Sequence, residues 1–191
     1  MNIYLTGVGG QGIGLLTEAL LRATDHAGLP VKGVDTHGLA QRGGVVVSHI
    51  RTGPNTYSPL IMEGDADMVV ALERHEALRA LKVLKPGGVM VYYNAVWQPL
   101  EVRLNQAPEV TESMISDWCG QNNIRVIKVF KQDLESAAMQ NVVLLAHICK
   151  NRLISGVEKI HFEKAMEDLM EGPMLEKNLK VFGVESGERA G

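Results

Sequence analysis

A glycine-rich stretch between a strand pattern and a helix pattern constrains the fold of this chain more than any other feature. Ile3 and Leu5 alternate with more polar residues over residues 2–6, which predicts a short strand. The glycine stretch that follows reads Gly7-Val8-Gly9-Gly10-Gln11-Gly12. From Ile13 onward, apolar residues recur every three or four positions, which predicts a helix that ends at Gly28. A strand, a glycine turn and a helix in series predict an α/β domain.

The next part of the chain predicts two strands that are unusually close in sequence. Residues 31–34 and 45–51 are rich in β-branched residues, and only the ten residues 35–44 separate them. A parallel crossover through a helix needs about a dozen residues or more. We therefore expect the third strand to be antiparallel or displaced.

Alternation of strands and helices resumes after this pair. Further strands are predicted at residues 68–72, 89–93 and 124–130, and helices at residues 73–84 and 111–121, with a turn at Lys85-Pro86-Gly87-Gly88. Asp133 is expected to cap a long apolar helix that continues to Cys149. This pattern predicts a Rossmann-like, three-layer α/β fold with a mostly parallel sheet.

The C-terminal part is predicted to be a helical extension. Beyond Gly156 the chain becomes more charged, and helices are expected at residues 162–170 and 174–182. An apolar stripe of Leu175, Leu179 and Phe182 predicts that the extension packs either on this chain or on a partner, and both alternatives stay open. We expect residues 1–191 to form one domain, with about 157–191 as its helical tail.

Composition argues against several classes of function. The chain has 19 Lys and Arg residues against 22 Asp and Glu, a formal net charge of −3, which provides no basic surface for nucleic acid. No apolar run approaches the roughly 20 residues that span a membrane, and we expect a cytoplasmic protein. The two cysteines, Cys119 and Cys149, are far apart, so we expect neither a metal nor an iron–sulfur site on this chain.

The first glycine stretch has the G-x-G-x-x-G spacing of a nucleotide-binding turn. Backbone N–H groups at the start of the following helix can hold an anion. We expect Gly7 to permit the turn, Gly9 and Gly10 to let a ligand approach, and Gly12 to let the helix pack on the strand. The alternative is a strand-to-helix turn that binds nothing.

An alternative function is a free-standing NAD(P)- or nucleotide-binding protein. Such a protein needs an acidic residue at the end of the second strand to bind a ribose, and Asp35 lies there. The short link that follows Asp35 and the lack of a hydride-transfer site argue against it. Asp35 is otherwise a turn or capping residue.

A second loop, residues 35–44, combines three glycines with several side-chain donors. Thr36, His37, Gln41, Arg42, Gly43 and Gly44 are its candidate contact residues. Such a loop suits a phosphate, a carboxylate or the main chain of a partner. The alternative is a surface loop in which Arg42 is only solvated. Strand alternation places His49 and Arg51 on the face opposite Ser48, so no Ser–His pair forms and we assign no catalytic residue.

Both glycine loops together resemble the gamma subunit or gamma domain of the 2-oxoacid:ferredoxin oxidoreductases. The other matching segments are Tyr57-Ser58-Pro59-Leu60-Ile61, Glu63-Gly64-Asp65-Ala66-Asp67, Leu84-Lys85-Pro86-Gly87-Gly88, Asn141 and Glu176-Lys177-Asn178. The resemblance covers nearly the whole chain. Among the branches of the family, it is greatest to the small subunit of indolepyruvate-type enzymes.

The resemblance implies a complex that decarboxylates a 2-oxoacid with thiamine diphosphate and passes electrons through iron–sulfur clusters to ferredoxin. The acyl group is commonly delivered to coenzyme A. Partner subunits are expected to hold these cofactors, while this chain helps to shape the active-site cleft and is inactive alone. The carried-over contact residues are Gly7, Gly9, Gly10, Gln11 and Gly12 in the first loop, and Thr36, His37, Gln41, Arg42, Gly43 and Gly44 in the second. A third interpretation is a scaffold in which both glycine loops are only structural.

Overall fold

A mixed sheet lies at the centre of the computed structural model, which describes residues 1–37, 44–54, 56–98 and 100–187. Within these residues the strand order is β2-β3-β1-β4-β5-β6. The strands are β1 (Asn2–Val8), β2 (Val31–His37), β3 (Val45–Thr52), β4 (Ala66–Ala71), β5 (Leu84–Tyr93) and β6 (Arg125–Val129). Strand β3 runs antiparallel to both β1 and β2, whereas β1, β4, β5 and β6 pair in parallel. The mostly parallel sheet and the antiparallel third strand are both confirmed.

Helices cover both faces of the sheet and complete three layers. They are α1 (Ile13–His26), α2 (Arg74–Ala80), α3 (Leu100–Arg103), α4 (Glu112–Gln121), α5 (Gln140–Lys150), α6 (Lys159–Leu169) and α7 (Gly172–Ser186). Helices α1, α5, α6 and α7 share one apolar core with β1. Helices α2 and α4 share a second core on the opposite face. The predicted three-layer α/β architecture is confirmed.

The C-terminal helices pack on this chain. Phe162 of α6 and Phe182 of α7 are fully buried, and their ring centroids are 6.0 Å apart. His26 at the end of α1 lies 2.8 Å from the carboxylate of Asp168 in α6. Burial of two phenylalanines provides about 3–6 kcal/mol of hydrophobic stabilisation. This packing decides between the two alternatives that the sequence left open.

One local prediction was wrong, and two elements are less regular than predicted. Asp133 does not cap α5, because it has left-handed backbone angles (φ 58°) and the helix begins only at Gln140. A short 3₁₀ turn, Ala137–Met139, precedes α5, and the Ser136 hydroxyl accepts the N–H of Ala138 there. The Lys85-Pro86-Gly87-Gly88 turn lies inside β5, where the pairing with β4 is irregular. The helix predicted over residues 73–84 ends as α2 at Ala80 and continues as a 3₁₀ turn, Leu81–Val83.

An extended segment, residues 56–62, crosses the outer part of the sheet on the face that carries α2. Side chains of β2 and β3 hold its backbone: Lys32 Nζ donates to Tyr57 O (3.4 Å) and Arg51 Nη1 donates to Ser58 O (3.0 Å). The backbone N–H of Ile61 donates to His49 Nδ1 at 3.1 Å. His49 therefore accepts at Nδ1, which requires the neutral ring.

His49 makes the stability of this region pH-dependent. Burial lowers the pKa of His49 below its ordinary value, so the folded state takes up a proton less readily than the unfolded state. Its contribution to the free energy of unfolding is fully present above about pH 6.5 and is lost as the pH falls towards the folded-state pKa. We expect a loss of about 1 kcal/mol, the size of one buried hydrogen bond.

The His49→Asn variant tests this expectation, because Asn keeps an acceptor near the position of Nδ1 but does not titrate. Urea unfolding of both proteins between about pH 7 and pH 5 measures the difference. The wild-type protein is expected to lose more stability than the variant over this range. Parallel pH curves for the two proteins would contradict the role given to His49.

Candidate functional site

The candidate site lies at the edge of the sheet where the parallel strands β1, β4 and β5 end. Helix α1 follows β1 on one face, and α2 follows β4 on the other, so the two connections diverge between neighbouring strands. Open α/β sheets bind ligands at such a switch point. Leu72 N donates to Thr6 O (2.9 Å) and Arg74 N donates to Ala95 O (3.0 Å). These two hydrogen bonds join the ends of β1, β4 and β5.

Both predicted loops meet at this edge. The N–H of Gly9 donates to Gly44 O at 2.8 Å, so the first loop is joined to the end of the second through the backbone. Thr36 lies near the end of β2, and its hydroxyl donates to Val47 O at 3.1 Å. His37 is the last residue of β2, and Gln41, Arg42 and Gly43 lie outside the described residues.

Gly7 has a different role from the one that its motif predicts. It lies within β1 and not in the turn. A Cβ added there would lie 2.8 Å from Gln11 Oε1 and 2.9 Å from Leu72 Cβ. Gln11 is buried beneath the loop and accepts the N–H of Val8 at 2.8 Å. The missing side chain therefore allows the glutamine to fold back between the ends of β1 and β4.

Gly10 and Gly12 provide the backbone conformations of the turn. Both have positive φ angles, 104° and 81°, which favour glycine. A Cβ at Gly10 meets nothing within 4 Å, so the space beside this residue is open. At Gly12 a Cβ would lie 2.6 Å from Asn141 Nδ2, so this glycine permits packing against α5 rather than against a strand.

Asn141 holds the first loop in place. Its Nδ2 donates to Gln11 O and to Gly12 O, both at 3.1 Å. Its Oδ1 and the Nε2 of Gln11 are buried without a hydrogen-bond partner among the described residues. One unpaired donor and one unpaired acceptor thus lie beneath the loop, and buried groups of this kind are points where ordered water binds. The sequence placed Asn141 on the apolar helix but gave it no role.

A buried acidic cluster beside the first loop was missed by the sequence analysis. Glu73 is fully buried at the end of β4, and its carboxylate caps α2 by accepting the N–H of Glu76. Glu73 Oε2 also lies 3.3 Å from His75 Nδ1 and accepts the N–H of Trp97 at 3.4 Å. Glu73 therefore connects β4 with the segment after β5. The sequence signal that could have identified Glu73 is an acidic residue directly after a buried strand.

Glu76 provides the second carboxylate of this cluster, which contacts the central strand β1. It is buried, and it accepts hydrogen bonds from the Thr6 hydroxyl (3.2 Å) and from Arg79 Nη1 (2.8 Å). Burial raises the pKa of Glu76, and the charge of Arg79 opposes this rise. Burial together with the carboxylate of Glu76 raises the pKa of Tyr4 on β1. These groups tie α2 to the central strand.

Asp35 does not occupy the position that a ribose-binding acid requires. It lies inside β2, opposite Ser48, and the antiparallel strand β3 separates β2 from β1. Two strand spacings, about 10 Å, therefore lie between Asp35 and the strand that leads into the glycine loop. Both Asp35 and Ser48 have side-chain oxygens that are buried without a partner among the described residues. The dinucleotide-binding alternative is wrong, and so is the expectation that Asp35 is a turn or capping residue.

The cysteines do not fit an iron–sulfur cluster. The whole chain has two of them, whereas clusters held by cysteine alone use four thiolate ligands. Burial raises the pKa of Cys119 to about 11 and also raises that of Cys149. No group of three or more His, Cys, Asp or Glu side chains within the described ranges lies close enough to share a metal ion. No helix among the residues that the structure describes is long and apolar enough to cross a bilayer.

Comparison with known proteins identifies sequences that are similar to this chain. The family model described as pyruvate ferredoxin/flavodoxin oxidoreductase matches residues 2–184. Indolepyruvate oxidoreductase subunit IorB of Archaeoglobus fulgidus is 35% identical over 188 residues, which are 95% of this chain and 91% of that protein.

Solved structures share the fold. The gamma subunit of a keto/oxoacid ferredoxin oxidoreductase from Geobacter sulfurreducens has a TM-score of 0.65 and 22% identity, and the match covers 97% of this chain and 95% of that chain. A 2-oxoglutarate:ferredoxin oxidoreductase from Magnetococcus marinus has a TM-score of 0.66 and 20% identity, with 97% of this chain matching 30% of that chain. In the second protein, the fold occupies less than a third of a longer polypeptide.

The packing at Gly7 makes a stability prediction. Gly7→Ala is expected to lower the free energy of unfolding by about 1–3 kcal/mol, because the new methyl group overlaps the rigid Cβ of Leu72. Gly14→Ala is the matched control: a Cβ there meets nothing within 4 Å, and alanine favours the helix by up to about 1 kcal/mol. Urea unfolding measures both. Equal stability of the two variants would show that Gly7 is not needed for packing.

Proposed function

Because the chain belongs to the pyruvate ferredoxin/flavodoxin oxidoreductase family, we propose that it is the small subunit of an indolepyruvate-type 2-oxoacid:ferredoxin oxidoreductase. The observation that carries this proposal is the 35% identity to an archaeal indolepyruvate oxidoreductase subunit over 95% of this chain. The family model matches residues 2–184, which include the two glycine loops, the sheet and most of the C-terminal helices. The proposed substrate is accordingly an aryl 2-oxoacid such as indolepyruvate.

In this proposal the redox cofactors lie on partner subunits. Thiamine diphosphate supplies the decarboxylation of the 2-oxoacid, iron–sulfur clusters carry the electrons to ferredoxin, and coenzyme A accepts the acyl group. Two points support this division. The cysteines of this chain do not provide a cluster ligand set. The two buried acids have structural roles, because Glu73 caps α2 and Glu76 accepts a hydrogen bond from Thr6 of β1.

The proposed contribution of this chain is to shape the active-site cleft with its two loops. The first loop contributes Gly7, Gly9, Gly10, Gln11 and Gly12, and the second contributes Thr36, His37, Gln41, Arg42, Gly43 and Gly44. The hydrogen bond between Gly9 and Gly44 supports a common role, because it makes the loops parts of one surface. Asn141 supports the same role, since it fixes the backbone at Gln11 and Gly12 from α5. A backbone held in this way can position a partner's residues at little entropic cost.

Omission of the chain tests the proposal. The subunits encoded beside it are co-expressed with and without it, and 2-oxoacid-dependent reduction of a viologen dye is measured. Loss of the chain is expected to lower the rate by about 100-fold, because small displacements of reacting groups cost that much. Adding the purified chain back is expected to restore the rate. An unchanged rate without the chain would exclude a role in the cleft.

Arg42 is proposed to bind a phosphate or carboxylate of a ligand with its planar, two-pronged guanidinium. Arg42→Lys in the assembled complex is expected to raise the KM for coenzyme A or the 2-oxoacid about tenfold, because one of two paired hydrogen bonds is lost. Arg22→Lys, on the exposed face of α1, is the matched control and is expected to leave both KM values unchanged. Wild-type KM values in the Arg42 variant would refute this role.

A further inference from the structure

The segment of residues 56–62 exposes large apolar side chains while its backbone is held by the sheet. Tyr57 is 87% exposed, Leu60 is 52% exposed and Met62 is 73% exposed. Soluble proteins rarely place several large apolar side chains together on the surface, and such groups commonly mark a contact with another protein. We call residues 56–62 the docking segment.

The docking segment is fixed before any partner binds. Its carbonyl groups accept from Lys32 and Arg51, and its N–H at Ile61 donates to His49. Ile61 itself is buried and joins the core on the α2 side of the sheet. The exposed side chains therefore project from a rigid base, and binding would cost little backbone entropy.

The apolar surface continues across the sheet towards the second glycine loop. Val34 and Val47 lie on the same face as His49, as the pairing of β2 with β3 shows, and both are only partly buried. Val45, the first residue of β3, is 42% exposed. Because the second loop ends at Gly44, the docking segment and that loop lie at the two ends of one surface.

The charged groups around the docking segment already make hydrogen bonds or ion pairs within the chain. Arg51 is bound to Asn2 and to the segment's own carbonyl groups, and Glu63 lies 2.5 Å from Lys82. Asp67 pairs with Lys85. The two carboxylates are thus paired with lysines, and Arg51 donates to neutral oxygens. Because these charged groups already have partners within the chain, the surface favours an apolar partner over an acidic or basic one.

The length of a relative supports a protein partner. In the Magnetococcus marinus enzyme, the fold of this chain forms 30% of one polypeptide, so the remainder of that polypeptide adjoins it covalently. The present chain has 191 residues and matches that fold over 97% of its length. The same fold covers 95% of the Geobacter sulfurreducens gamma subunit, so it forms nearly a whole subunit in one enzyme and part of a longer polypeptide in another. Where it forms a subunit, a surface must replace the covalent link.

We propose that the docking segment, with Val34, Val45 and Val47, binds an apolar surface of a partner subunit of the same oxidoreductase. Tyr57, Leu60 and Met62 insert into the partner as anchors. This inference rests on the proposed function, and it adds which face of the chain the complex covers.

Binding of variants to the purified partner subunits tests the proposal. Leu60→Asp and Met62→Asp are each expected to weaken the complex about 30-fold or more, because a charge is placed where water is excluded. Two controls match them in exposure: Ile160→Asp on α6, where Ile160 is 48% exposed, and Met174→Asp on α7, where Met174 is 55% exposed. Both controls are expected to bind within about twofold of wild type.

Three further measurements distinguish loss of partner binding from unfolding, self-association and lipid binding. Melting temperatures of all four variants are expected to match that of wild type, since these side chains point outwards. Size-exclusion chromatography with light scattering reports whether the isolated chain self-associates, and flotation with phosphatidylcholine and phosphatidylglycerol vesicles reports binding to lipid.

The proposal is overturned if Leu60→Asp and Met62→Asp bind the partner as tightly as wild type. It is also overturned if they abolish only self-association or only vesicle binding, because the occupant is then a second copy or a lipid surface. Failure of the wild-type chain to bind any co-encoded subunit would instead refute the proposed function on which the inference rests.

Discussion

The absence of a side chain at Gly7 is the constraint on which the candidate site depends. It lets Gln11 fold back beneath the loop and lets Leu72 approach β1, so the ends of β1 and β4 come together. Asn141 then reaches the loop from α5 and fixes its backbone at Gln11 and Gly12. The glycine motif thus works here through packing as much as through turn geometry, and its spacing alone is not evidence for a bound nucleotide.

The antiparallel direction of β3 relative to β1 and β2 determines the arrangement of the outer strands. The seven residues between β2 and β3 are too few for a helical crossover, so the two strands form an antiparallel pair at the edge of the sheet. This arrangement moves Asp35 away from the glycine loop and removes the geometry of a dinucleotide site. On the α2 face of these outer strands, the docking segment lies on Lys32, His49 and Arg51. The short link therefore decides both the position of Asp35 and the pair of strands that supports the docking segment.

Both proposals describe a chain that acts by presenting surfaces to partners. The buried polar groups, Glu73, Glu76 and Asn141, are engaged in holding loops and helices, and the large exposed groups lie on a backbone that is already fixed. A subunit of this kind contributes position and shape, and both depend on rigidity. The agreement between fold, charge pairing and family membership supports an assembly role within the oxidoreductase.

The sequence by itself determined the α/β class, the start of α1 at Ile13 and a third strand that is antiparallel or displaced, because periodicity, glycine and loop length act over neighbouring residues. It also proposed Gly9, Gly10, Gln11 and Gly12 for one contact loop and Gly44 for another, and the tertiary structure joins the two through the hydrogen bond between Gly9 and Gly44. Only the tertiary structure decided that the C-terminal helices pack on this chain, that Asn141 holds the loop and that Glu73 and Glu76 form a buried cluster. Those contacts join residues as far apart in sequence as His26 and Asp168, which are separated by 142 positions, and local patterns carry no information about such distant pairs.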